Sequence, residues 1–226
     1  MEHQKVNRNK NVTQEDLESF FQNLIALEKL FIKESEIFLN IGRENSHIYT
    51  MDIFICAIVN RAISLMNGFI TLANNNNYIS AVPLIRLQVD NCLRFYAATL
   101  VKDHDDFFLK YLDDTHIRNI KDFKGNKMTD KYLVEKLNKE VFPGIYNLYV
   151  NTSGYIHFSK EHSFLQTEIN STENRKILTK IGQFDFFAID QKVDFTYNML
   201  KASEFLFTLT ESWKFQKTKI EAKFSQ

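Results

Sequence analysis

Arg86, Asp90 and Arg94 recur every fourth residue within Pro83–Tyr96, a segment otherwise dominated by Leu, Ile, Val, Phe and Tyr. On a helix that spacing puts three charges on one face, in or beside the core. Charges placed there need partners. Two chemistries suit the pattern. The two guanidiniums can clamp a phosphate or carboxylate while Asp90 holds them in position. Alternatively, Asp90 pairs with both arginines one turn away and sets helix register only.

A second constellation, Tyr149-x3-Ser153-x3-His157, places three more polar groups on one helical face. Ser153 and His157 can touch at that spacing. A helical serine lacks the strained exposure of a nucleophile elbow, however, and no oxyanion hole accompanies it. A histidine near a helix end also serves as a cap or core residue. His157 and His162 have no acidic neighbours at ligand spacing, so no metal is expected. No cofactor is expected either, because Gly-x-Gly-x-x-Gly, P-loop, His-Glu-x-x-His and EF-hand patterns are all missing from the sequence.

The elements that must position these residues are helical. Only 2 Pro and 6 Gly in 226 residues leave long unbroken stretches, while 44% hydrophobic residues, 21 Phe among them, supply a core. Thr13 and Asp16 form a capping box for a helix running to about Ile41, with Gly42 after its end. A second helix starts at Thr50 or Asp52 and stops at four consecutive asparagines, Asn74–Asn77. A third begins near Tyr78 or Ser80, with Pro83 in its first turn, and runs to about Val101. The short turn makes the second and third helices antiparallel neighbours. Counting outward from it sets Asn67 near Arg86, Ser64 near Asp90 and Asn60 near Arg94, a polar ladder across the hairpin.

Further helices are expected at Asp103–Ile120, at Asp130–Val141 after a polar loop, from Pro143 at the first helical position, and at Ala188–Lys223. Between Phe158 and Phe187 the helical period fails. Phe164–Ile169 and Lys176–Ile181 read there as a small β-hairpin or an ordered loop. The expected architecture is all-α: a single-domain bundle of six or seven helices spanning 13–226 after a flexible tail at 1–12.

With 28 basic and 28 acidic residues the net charge is zero, so only a local patch could recruit nucleic acid. Cys56 and Cys92 lie in apolar runs without Cys-x-x-Cys spacing and read as small core residues in a reducing cytoplasm. The polar N-terminus lacks a signal peptide's hydrophobic region, and the apolar runs are broken before the roughly 20 residues that a membrane span needs. The first and last helices carry apolar residues on more than one side, which suits a homodimer or another protein partner, though core packing explains it equally.

The residues Leu84-Ile-Arg86 with Asp90, after an asparagine turn and followed by Tyr149, Ser153 and His157, resemble a group of uncharacterised bacterial all-helical proteins related to the HEPN superfamily. The resemblance covers about residues 50–160. In that pattern the acid is usually Glu, where this chain has Asp90. It implies either a metal-independent ribonuclease of the toxin or phage-defence type or a catalytically dead nucleotide-binding or scaffold module. The ribonuclease relatives carry Arg-x4–6-His on one helix; this chain does not, Arg43 and His47 coming nearest with three residues between. A composite site would use His157 as acid or base, with Arg86 and Arg94 stabilising the phosphorane-like charge. Two functions follow: engagement of RNA or a nucleotide phosphate through Arg86, Asp90, Arg94 and His157, with Asn60, Ser64, Asn67, Tyr149 and Ser153 in support, or a non-catalytic interaction module whose polar ladder is structural.

Overall fold

A computed structural model describes residues 12–45, 49–156, 167–170, 176–179 and 187–224. The bundle is built around its third helix. Tyr78–Thr99 (α3) packs against Thr50–Asn74 (α2) and Ile189–Phe224 (α7), and also receives Asp130–Glu140 (α5) and Ile145–Ser153 (α6). Gln14–Asn40 (α1) lies on α7 and α2, and His104–Leu112 (α4) leans on α2. One apolar core runs through these elements from Leu17 to Trp213. The all-α bundle is therefore the fold, with seven α-helices among the described residues.

The helix ends are set by side chains close by in sequence. Asp16 N–H donates to Thr13 Oγ1 at 3.3 Å while Asp16 Oδ2 accepts from Thr13 N–H at 2.8 Å, closing the expected capping box. Gly42 takes φ +78° just past α1, in the left-handed region that glycine enters without steric cost. Between α2 and α3, Asn76 adopts φ +53° and Asn77 caps α3 by accepting from Ser80 N–H. That cap starts α3 at Tyr78, so Pro83 falls in its second turn, not its first.

Three other boundaries shift. α4 stops at Leu112, because Asp113 is its C-cap and Asp114 turns left-handed at φ +56°; a 3-10 turn, Ile117–Asn119, follows. Gly144 caps α6 at φ +103°, leaving Pro143 outside the helix. α6 then ends at Ser153. In the segment between α6 and α7 the hairpin is the alternative that forms, with Thr167–Asn170 (β1) antiparallel to Lys176–Thr179 (β2) and Thr167 opposite Thr179.

α2 also departs from the expectation for apolar runs. It is long and apolar enough, by length and composition, to cross a membrane. In the fold Phe54, Ile55, Ile58, Ala62, Met66 and Phe69 of this helix are buried in the protein core. Cys92 is buried too and donates its thiol to the Ala202 carbonyl at 3.4 Å, whereas Cys56 is half-buried.

One charge pair is sealed inside the bundle. Lys217 Nζ donates to Asp52 Oδ2 at 2.6 Å and to the Phe38 carbonyl at 2.8 Å, and Trp213 Nε1–H donates to Asp52 Oδ1 at 2.8 Å. These bonds tie α7 to α1 and α2. Asp52→Ala strands the Lys217 ammonium and should lower stability by about 3–5 kcal/mol. Equilibrium denaturation checks this, and Asp52→Leu combined with Lys217→Met should recover most of the loss.

Candidate functional site

The Arg86–Asp90–Arg94 stripe is where two parts of the chain meet. Arg94 donates from Nε and Nη2 to Asp90 Oδ1 at 3.0 and 2.8 Å, the one-turn pair that the spacing predicts. A second carboxylate arrives from α5: Asp130 Oδ1 accepts from Arg94 Nη2, and Asp130 Oδ2 lies 3.6 Å from Arg86 Nη2. α2 contributes Arg61, whose Nη1 donates to Asp90 Oδ2 at 3.2 Å and to Asn91 Oδ1 at 2.5 Å. Three guanidiniums and two carboxylates thus form one cluster at the edge of the bundle. Burial works against the charge on Arg94, but Asp90 and Asp130 outweigh it and hold its pKa above the ordinary value.

The second constellation joins the first at Tyr149. The Arg86 guanidinium carbon sits 4.0 Å from the centre of the Tyr149 ring, a cation–π contact between α3 and α6. Ser153 lies one turn further along α6, but its hydroxyl donates to the Tyr149 carbonyl at 2.6 Å. A serine bonded back to its own helix is not presented as a nucleophile. α6 ends at Ser153, and the expected Ser153–His157 pair falls on His157, which, like His162 and His47, lies outside the described residues.

The expected ladder across the α2–α3 hairpin is corrected by the register. Arg61 faces Asp90 and Gly68 approaches Leu84, so the residues level with one another are displaced by one to three positions from the expected pairing. α2 consequently turns an apolar face to α3, and Asn60, Ser64 and Asn67 are exposed. The Ser64 hydroxyl donates to the Asn60 carbonyl of its own helix at 2.9 Å. Arg61 takes the place assigned to those three. Its signal was present in the sequence, since it is the only cationic residue between Asp52 and the asparagine turn. Asp130 gave no such signal, because its role depends on the way α5 docks.

Arg86 differs from its neighbours in how its donors are used. Its side chain is only 10% exposed. None of the five N–H groups of a guanidinium finds a hydrogen-bond acceptor here among the described residues; the 3.6 Å approach to Asp130 and the Tyr149 ring are its contacts. No Arg86 nitrogen is sealed from solvent without a partner, so the fork keeps N–H groups at the surface that are suited to bind an oxyanion. Arg61, 42% exposed, borders the same cluster and adds charge at its solvent side. No group of three or more metal-ligating side chains occurs among the described residues. Fold and site together define a helical bundle with a half-buried arginine–carboxylate cluster. Compared with family models, curated proteins and solved structures, the chain matches none.

α5, which delivers Asp130, is pinned by two hydroxyl–carboxylate contacts. Tyr96 OH donates to Glu140 Oε2 at 2.7 Å and Tyr132 OH to Asp122 Oδ2 at 2.5 Å. Bonds from Lys136 and Tyr96 lower the Glu140 pKa. Burial opposes ionisation of Asp122, but bonds from Tyr132, Asn126 and the Lys124 amide prevail and lower its pKa as well. Both groups therefore stabilise the fold above the ordinary carboxylate range, and that contribution is lost as pH falls through their depressed folded values. Denaturant titrations between pH 6 and pH 3 should show stability falling on the acid side, with a smaller fall in a Tyr132→Phe, Tyr96→Phe double variant.

Proposed function

We propose that this protein is a HEPN-like helical bundle that binds the phosphate of RNA or of a nucleotide at the α3 arginine cluster. The observation that carries this reading is Arg86: nine-tenths buried, stacked on Tyr149, and with no hydrogen-bond acceptor among the described residues. Planar guanidiniums bind phosphate oxygens two at a time, and Arg94, which shares Asp130 with Arg86, and Arg61, which joins the cluster through Asp90, add their charge. Arg86 and Tyr149, two of the residues on which the HEPN resemblance rests, are in contact. In the catalytic version His157 supplies the acid or base.

The competing reading is a non-catalytic interaction module. It is favoured by Asp90 and Asp130, which already satisfy Arg94 and hold α3 to α5. Fluorescence anisotropy with labelled single-stranded RNA, competed by nucleotides, separates the two. Phosphate engagement predicts saturable, salt-sensitive binding that weakens at least about tenfold in Arg86→Lys and Arg61→Ala proteins whose circular dichroism is unchanged. Absence of binding to the wild-type protein, or equal binding by all three proteins, leaves the structural module as the reading.

A further inference from the structure

Asp130 stands where an anion gripped by two arginines would stand. One of its oxygens accepts from Arg94 and the other faces Arg86 at 3.6 Å, so a phosphate reaching between these guanidiniums meets this carboxylate first. Its own helix does not need it there. Thr129 Oγ1 caps α5 by accepting from Tyr132 N–H, and buried Leu133, Val134 and Leu137 anchor the helix. The Asp130 side chain is 36% exposed, and rotation about its Cα–Cβ bond can carry the carboxylate into solvent without unfolding α5.

Charge decides which ligand can move it. Arg61, Arg86 and Arg94 against Asp90 and Asp130 give a cluster of net +1. An internal phosphodiester carries one negative charge, so exchanging it for Asp130 replaces one monoanion by another. A terminal phosphate monoester carries roughly 1.5 to 2 negative charges at neutral pH. With Asp130 swung away the cluster rises to +2, which matches the dianion. Resting on the phosphate-binding reading above, we propose that the ligand is a terminal phosphate monoester, either a mononucleotide or an RNA end, that displaces Asp130, and that the +2 cluster so exposed prefers it to an internal phosphodiester.

Calorimetric titration with 5′-AMP and 3′,5′-cyclic AMP compares monoester and diester on the same nucleoside. Parallel anisotropy measurements compare RNA of one sequence with and without a terminal phosphate, at the 5′ or the 3′ end. AMP and end-phosphorylated RNA should bind about tenfold more tightly than their counterparts, and AMP binding should strengthen as pH rises through about 6, where the second phosphate proton is lost. Asp130→Asn, which removes the carboxylate that either ligand must displace, should strengthen AMP and cyclic AMP binding alike, by about threefold or more, and keep the monoester preference. Arg86-dependent binding that is indifferent to a terminal phosphate, or AMP affinity that does not rise in Asp130→Asn, overturns the displacement of Asp130 by a monoester but leaves phosphate binding standing. Loss of all Arg86-dependent binding removes both.

Discussion

A guanidinium taken out of water needs counter-charge, and α3 carries two of them to the edge of a packed core. The position of every neighbouring element is tied to that requirement. Asp90 answers Arg94 from within the helix; Asp130 answers from α5; Arg61 returns from α2 to meet Asp90 on its other oxygen. Arg86 is treated differently, receiving an aromatic face from α6 and only a distant carboxylate. Four helices are therefore registered against one stripe of charge, and a shift of α5 by one turn would uncover two arginines at once.

The cluster is connected to the interior by amides. Asn91 Oδ1, which accepts from Arg61, belongs to a side chain whose Nδ2 donates to Gln88 Oε1 at 3.0 Å; Gln88 Nε2 then donates to Ser203 Oγ at 2.9 Å on α7. The Ser203 hydroxyl in turn donates to the Met199 carbonyl at 2.9 Å. Each buried polar group in this chain of bonds has a partner, so it costs little in desolvation and admits one register of α2, α3 and α7. The orientation of a half-exposed arginine at the rim is thus fixed by residues buried in the bundle core.

Much of this was legible in the sequence where cause and effect lie within one turn. The Thr13–Asp16 box, the asparagine stop and the Asp90–Arg94 pair depend on neighbours only three or four residues away, and they form as the spacing predicts. What could not be read was the pairing of separate elements. The α2–α3 register turns on how four asparagines wrap: Asn77 N–H bonds back to the Leu72 carbonyl, and the resulting offset swings Asn60, Ser64 and Asn67 to the outside. Asp130 was invisible for the same reason, since its partners are 36 and 44 residues away and no periodicity links them.

Arg86 is the place where local consistency gives way. Elsewhere along the stripe charges are joined by hydrogen bonds, while Arg86 is held by the face of Tyr149 and by Asp130 at 3.6 Å. A ring quadrupole offers a desolvated cation roughly 2 kcal/mol, which is less than the cost of leaving an ion short of hydrogen bonds in a protein interior. A leucine against Tyr149 would keep apolar packing between α3 and α6 without a charge to desolvate. The balance changes only when an acceptor with two or more oxygens reaches the fork, because the hydrogen bonds it brings offset the desolvation already incurred in folding. On that argument Arg86 is the residue of the stripe from which an oxyanion would gain most.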